Sequence, residues 1–250
     1  MNYSLHATHE QATLPYSISH VEMSTWAITD IHGCANTFAA LLRRINFARE
    51  DTLFLLGDYI DRGPHSKQVL DKILELRATG YRVECLLGNH DWVLLHALDE
   101  PDTEEAYNWK SRFGGMATLQ SFGADSEQDI PTKYIDLLES MDYYREYEDL
   151  ILVHAGLNLR RSNPLADREA MLWMRYGDRR VNRDWLGERI IVHGHTPRPR
   201  RKIQKQIKGL AKRPLIGIDN GCVYQRHGMN HLCALELDTM ELVFERNVDN

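Results

Sequence analysis

Leu53-Phe54-Leu55-Leu56-Gly57-Asp58-Tyr59-Ile60-Asp61-Arg62-Gly63-Pro64 is the stretch around which the rest of the chain can be arranged. Its run of apolar residues predicts a buried strand. Gly57 permits a sharp turn where that strand ends. Asp58, Asp61 and Arg62 follow at once, and Gly63-Pro64 closes the loop before a new helix. A buried strand that delivers two carboxylates and a guanidinium to its carboxyl end predicts a functional site, because function on α/β sheets gathers outside those ends.

The same design recurs on both sides. Upstream, Thr25 to Gly33 reads as a strand ending in Asp30-x-His32-Gly33. Side chains two apart on extended backbone share a face, so carboxylate and imidazole point the same way. A helix follows, with Phe38, Leu41, Leu42 and Ile45 on one stripe. Downstream, Ser66 is expected to cap a helix whose buried stripe is Leu70, Ile73 and Leu74, with Gly80 as its C-cap. Val83 to Leu87 make a third strand, ending in Gly88-Asn89-His90-Asp91. Strand, helix, strand, helix, strand predicts parallel pairing, with right-handed crossovers that bring all three carboxyl ends to one edge.

From about 92 to 140 the pattern is helical and the ligand signals stop, so this region is expected to be a helical cap within the same domain. Trp109, Phe113 and Gly114-Gly115 fall between its helical pieces, and Pro131 opens a helix carrying Ile135 and Leu138. Its aromatics are expected in the core more than against substrate. Two further strands end in ligands, Leu150 to Gly156 with His154 and Arg189 to Pro197 with His193-x-His195. Ala170 to Arg175 is a short apolar segment ending in arginine. Residues 198 to 213 carry Arg200, Arg201, Lys202, Lys205, Lys208 and Lys212. A solvated loop or edge strand is expected there, with a docking strip for acidic or phosphorylated partners as the alternative. Leu215 to Gly221 is another strand, and a hairpin closes the chain with Leu235, Leu237, Leu242 and Phe244 inward.

Composition narrows the field. The chain has 250 residues, 43% of them hydrophobic, which permits one large domain. A net charge of -6 argues against a protein that coats nucleic acid. Cys34, Cys85, Cys222 and Cys233 form no Cys-x-x-Cys pair, which points to reduced thiols and a cytoplasmic protein. No apolar run approaches the ~20 residues of a membrane span, and no signal peptide is legible. Residues 1–24 read as a polar tail whose His6, His9 and His20 receive no role, leaving 25–250 as the single domain.

The candidate ligands are hard oxygens and imidazoles without thiolate, a set that suits manganese, iron or zinc. They outnumber the needs of one four-coordinate ion and fit two ions sharing a carboxylate. Such pairs sit ~3.5–4 Å apart and stabilise in-line displacement at phosphorus. Arg62 and Arg175 are natural clamps for phosphate oxygens, since guanidinium binds them through parallel hydrogen bonds. The residues alone therefore point to metal-assisted hydrolysis of a phosphate ester.

Asp30-x-His32-Gly33, Gly57-Asp58-x-x-Asp61-Arg62-Gly63, Gly88-Asn89-His90-Asp91, His154-Ala155-Gly156 and Gly194-His195-Thr196 resemble, in order, the motifs of the phosphoprotein phosphatase family of metallophosphoesterases. The chain looks most like its bacterial and phage (lambda-like) serine/threonine phosphatases, and the resemblance runs from about Thr25 to the C-terminus. It implies an α/β (α+β) fold, a sandwich of two mixed β-sheets flanked by helices. It implies two divalent ions, manganese first, with Asp30 and His32 on one, Asn89, His154 and His195 on the other, and Asp58 bridging. It implies a metal-bridging hydroxide as nucleophile, His90 paired with Asp61 as general acid, and Arg62 and Arg175 on the phosphate. A neighbouring carboxylate favours the charged imidazolium, which agrees with that acid role. His193 is placed behind the ligands.

Asp91 stands where the protein phosphatases usually have Glu. The symmetrical diadenosine tetraphosphatases of the same family carry Asp there but depart from the Asp-Arg-Gly form that this chain keeps. The resulting expectation is a phosphoprotein or phosphopeptide substrate, with dinucleotide polyphosphate hydrolysis as the alternative. A non-catalytic binding protein is the remaining reading. A monomer that binds neither nucleic acid nor membrane is the default.

Overall fold

The computed structural model describes residues 23–101, 103–176 and 182–249. The polar tail, except its last two residues, lies outside them. The first half runs β1 (Thr25–Ile28), α1 (Ala35–Arg44), β2 (Thr52–Leu55), α2 (Ser66–Ala78) and β3 (Arg82–Cys85). The three strands pair in parallel in the order β3-β2-β1, with Ala27 opposite Phe54 and Phe54 opposite Glu84. Their carboxyl ends therefore share one edge, as the alternation of strand and helix predicts.

Strand alternation explains the layers. Trp26, Ile28, Leu53 and Leu55 pack under the helices with Phe38, Leu41, Leu70 and Ile73. Ala27, Phe54 and Leu56 point the other way and meet Leu150, Leu152, Val192 and Ile216. Those residues belong to a second sheet. The sandwich known only from resemblance is thus present: two mixed sheets with helices on their outer faces.

A helical stretch follows β3: α3 (Asn89–Asp99), α4 (Glu104–Asn108), a π-helical turn (Trp109–Phe113), α5 (Gly115–Phe122) and α6 (Thr132–Glu139). Trp109 and Phe113, expected between helical pieces, form that π turn, which ends at Gly114 with φ +98°. Here α5 lies against α2, while α4 and α6 lie against α3. Ser66 does not cap α2. His65 holds the N-cap position, and the Ser66 hydroxyl instead accepts the Asp61 N–H at 3.1 Å. The turn at Gly63-Pro64 draws it into the loop.

The second sheet runs β4-β5-β6-β7, from β4 (Tyr144–Tyr147), β5 (Leu150–Val153), β6 (Ile190–His193) and β7 (Leu215–Gly217). Strands β5, β6 and β7 are parallel and β4 is antiparallel. The short α7 (Arg168–Trp173) and α8 (Arg183–Leu186) cover its outer face through Met171 and Leu186. The basic run is neither loop nor edge strand. It forms α9 (Arg200–Ile207), with Ile203 buried and Ile207 and Leu210 packed beside it. Those three residues follow a helical i, i+4, i+7 spacing that the charges obscured. The closing hairpin, β8 (His231–Glu236) and β9 (Leu242–Arg246), joins the first sheet antiparallel to β1. Among the described residues, no helix is long and apolar enough to cross a membrane.

Candidate metal centre

The chemistry-bearing residues leave the carboxyl ends of strands in both sheets. Asp30 and His32 follow β1; Asp58, Asp61 and Arg62 follow β2; Asn89 and His90 open α3; His154 follows β5 and His195 follows β6. These loops interlock at backbone distance. A Cβ on Gly88 would stand 2.2 Å from the Asp58 nitrogen, so only glycine lets the two loops meet. Asp30, His32, Asp58, Asp61, Arg62 and His195 all have positive φ, between 46° and 70°. Left-handed backbone costs an L-residue roughly 1–2 kcal/mol.

Cross-loop hydrogen bonds hold that conformation. Asp30 N–H donates to Gly57 O at 3.0 Å and His32 N–H to Asp58 O at 2.9 Å. The Asp91 carboxylate accepts from Asp58 N at 2.8 Å, Gly88 N at 3.0 Å and Tyr59 N at 3.1 Å. The Asp30 carboxylate accepts from His195 N at 2.9 Å, which ties the two sheets together at the site.

The imidazole tautomers follow from their neighbours. His32 Nδ1 donates to Ile60 O at 2.9 Å, and His154 Nδ1 donates to Leu56 O at 2.8 Å. Burial keeps both rings below their ordinary pKa and hence neutral. Each Nε2 therefore carries a lone pair. His154 Nε2 faces Asn89 Oδ1 at 3.0 Å and Asp58 Oδ1 at 3.5 Å. His32 Nε2 faces Asp58 Oδ2 at 3.5 Å and Asp30 Oδ1 at 3.9 Å. His195 Nε2 is buried without a hydrogen-bond partner, and its Nδ1 lies 2.8 Å from Asn89 Oδ1.

Acceptors facing acceptors require a cation between them. Ligand atoms of His32, Asp58 and His90 lie within 4.8 Å of one another, and so do those of Asp58, His154 and His195. Asp58 belongs to both groups and turns one oxygen toward each. Burial, and then the charges of Asp30 and Asp91, push its pKa well up, so its ionised form calls for positive charge nearby. The residues present fit two divalent ions. Arg62 Nη1 donates to His32 Nε2 at 2.7 Å, placing a guanidinium where that charge is needed.

His90 Nδ1 meets Asp61 Oδ2 at 2.7 Å, both fully buried. Burial pushes Asp61 up to about 7, against bonds from Thr118 and Trp109 that pull it down. Burial, then the Arg62 charge, lowers His90 well below its ordinary value. Burial thus opposes the imidazolium that the neighbouring carboxylate favours.

Arg62 and Arg175 line one cavity of about 350 Å³ together with Asp58, Asn89, His90 and His195. His193 joins neither ligand group. Its Nδ1 meets Gly194 O at 3.0 Å, and its ring packs on Tyr176. β6 ends at His193 and His195 turns left-handed, so the two side chains do not share a strand face.

Several contributors were not legible in the motifs. Trp109 Nε1 donates to Asp61, and Thr118 Oγ1 does so at 2.7 Å. Phe113, Trp173, Tyr224 and Arg226 line the cavity. They lie far from the ligands in sequence, and no local spacing marks them.

A family model described as calcineurin-like phosphoesterase matches residues 23–226. A symmetrical bis(5'-nucleosyl)-tetraphosphatase of Yersinia pestis is 41% identical over 107 residues, covering 36% of this chain and 36% of that protein. One of Yersinia pseudotuberculosis gives the same values, so the match spans little more than a third of these relatives' length. A solved structure described as a putative diadenosine tetraphosphatase superposes with TM-score 0.64 at 24% identity, over 92% of this chain and 96% of that one. A serine/threonine phosphatase of Saccharomyces cerevisiae superposes with TM-score 0.59 at 14% identity, over 93% and 82%. These two superpositions show the fold.

Proposed function

Because this chain belongs to the calcineurin-like phosphoesterase family, a family of metal-dependent phosphoester hydrolases, we propose that its substrates are dinucleoside polyphosphates cleaved symmetrically. One observation carries the reading: Arg62, Arg175 and Arg226 all line the cavity that holds Asp58, Asn89, His90 and His195. That is more positive charge than one phosphomonoester needs, and it suits a chain of phosphates. The local identity to symmetrical tetraphosphatases supports it.

Asp30, His32 and Asp58 would hold one ion, and Asp58, Asn89, His154 and His195 the other, with manganese as the proposed metal. When bound, such ions lower the pKa of water and offset charge on the phosphoryl oxygens. Arg62 and Arg175 clamp non-bridging oxygens and fix the phosphorus in the cavity. His90, held through Nδ1 by Asp61, presents its other nitrogen to the leaving oxygen for proton transfer. Trp109 and Thr118 hold Asp61 in turn.

A serine/threonine phosphoprotein phosphatase is the second reading. The Asp61-Arg62-Gly63 form of the loop favours it. So does the buried His90–Asp61 pair, since an alkoxide leaving group needs a proton more than a phosphate does.

The test is turnover with added manganese on diadenosine tetraphosphate against a phosphoserine peptide, with chelated enzyme as blank. The expected result is faster cleavage of the dinucleotide, ADP as the sole product, and loss of activity on chelation. Faster turnover of the peptide would overturn this reading in favour of the second.

A further inference from the structure

A second cavity, of about 650 Å³, adjoins the catalytic one and shares Arg226 and Met229 with it. Its lining continues through Asn230, His231, Arg246 and Asn247 and, among the described residues, contains no carboxylate. His231 and Arg246 stand directly opposite each other on β8 and β9. The salt bridges among the described residues include neither Arg226 nor Arg246. Both are exposed, so their charges are available to a ligand.

The two cavities are joined electrostatically. The Arg62 guanidinium lies 5.6 Å from the centre of the Tyr224 ring, and that of Arg226 lies 5.4 Å from the same centre. One aromatic ring thus positions both cations. The floor between them is held by backbone bonds. Asn230 N–H donates to Gly221 O at 3.2 Å, and Asn247 N–H donates to Asn230 O at 3.0 Å. Asn230 Oδ1 is buried without a hydrogen-bond partner.

We propose that this second cavity binds the leaving group, and that the leaving group is a nucleoside diphosphate. Arg226 and Arg246 meet its phosphates. The proposal rests on the polyphosphate reading of the catalytic site and adds the residues that select for it. In the reaction, the oxygen of water bonds to phosphorus and the bridging P–O bond breaks. The electron pair leaves on the diphosphate, and the protons of water pass to products and solvent. An alcohol leaving group has no charge to place against Arg226 and Arg246, so the second cavity discriminates by leaving-group charge.

The test uses the manganese-loaded full chain and the variants Arg246→Ala and Arg246→Glu, with thermal melts to establish that they fold. Two quantities are measured: ADP affinity by calorimetry, with inorganic phosphate as the comparison, and the ratio of kcat/KM for diadenosine tetraphosphate to that for p-nitrophenyl phosphate. ADP is expected to bind at least tenfold tighter than phosphate. Arg246→Ala should weaken ADP about tenfold and lower the ratio about tenfold, the effect of ~1.4 kcal/mol, and Arg246→Glu should do more. If the dinucleotide is cleaved but neither quantity moves in the variants, the second cavity is not the leaving-group site, and the catalytic reading stands. If the dinucleotide is not cleaved yet ADP binding depends on Arg246, the anion site is supported and the polyphosphate substrate is not. ADP binding no tighter than phosphate overturns the proposal.

Discussion

The indole N–H of Trp109 lies 3.1 Å from both carboxylate oxygens of Asp61. Forty-eight residues separate the two in sequence, and both are fully buried. The bond fixes the carboxylate plane that in turn holds His90 at 2.7 Å. Trp109→Phe keeps most of the ring volume and removes the donor. Turnover should fall roughly tenfold, the effect of ~1.4 kcal/mol, with metal content unchanged. Steady-state kinetics beside metal analysis checks this, and undiminished kcat would show that Trp109 only fills space.

Asp58 turns Oδ2 toward His32 and Oδ1 toward His154, each at 3.5 Å. Asp58→Asn removes the shared charge, so both ions should be lost together. Metal analysis after dialysis should drop from two ions per chain to near none. Loss of one ion alone would count against the bridging role. In the parent protein, manganese at 100 times its Kd should add about 2.7 kcal/mol of stability for each ion bound, which a chelator abolishes.

His90→Asn should leave the ion of Asp58, His154 and His195 in place, because His90 stands only in the other group of possible ligands, and metal analysis shows whether the second ion depends on it. Removing a general acid costs roughly 10²–10⁴ in rate, but the loss depends on the leaving group. A phosphoserine peptide, which releases an alkoxide, should lose more than diadenosine tetraphosphate, which releases a phosphate. Equal losses on both substrates would rule out proton donation as the role of His90.

Asp91 accepts three backbone N–H groups from the loops that carry Asp58 and Asn89. Asp91→Ala leaves buried donors unpaired, at roughly 1–3 kcal/mol for each. The melting temperature should drop by about 6 °C or more, and metal affinity should weaken with it. A melt within a degree or two of the parent would mean that water or neighbouring groups satisfy those donors.

Glu236 gives a pH signature far from the catalytic residues. Burial pushes its carboxyl up, but bonds from Thr239, Thr25 and Asp238 outweigh this and hold it below its ordinary range. A depressed folded pKa adds stability that is complete above the unfolded value, near 4.3, and is lost as pH falls through the folded one. Glu236→Gln should therefore melt lower than the parent at pH 7, and the gap should close below pH ~4. A constant gap across that range would mean that the charge contributes nothing.

Local pattern was enough where structure is local. The apolar run Leu53–Leu56, the Gly57 turn and the repeated strand-helix alternation gave the parallel half-sheet, because period and turn chemistry are properties of neighbouring residues. It failed where packing competed with a stronger surface signal. The charges on α9 hid the Ile203, Ile207 and Leu210 stripe. The half-exposed Tyr144–Tyr147 strand gave no apolar run to read. The Ser66 hydroxyl went to Asp61 instead of a helix cap.

The candidate ligands were legible for a chemical reason: divalent ions need carboxylates and imidazoles, and glycine marks the tight loops that carry them. The sequence by itself therefore determined the candidate donors, the parallel strands that present them and, through the family motifs, phosphoester hydrolysis. Only the tertiary structure decided which oxygen of Asp58 faces which imidazole, that six site residues adopt left-handed backbone, and that Trp109 and Thr118 hold Asp61. It alone brought Arg226 beside Tyr224 and Arg62 and opened a second cationic cavity toward Arg246. Those relations depend on distances between segments far apart in the chain, which packing sets and no local spacing encodes.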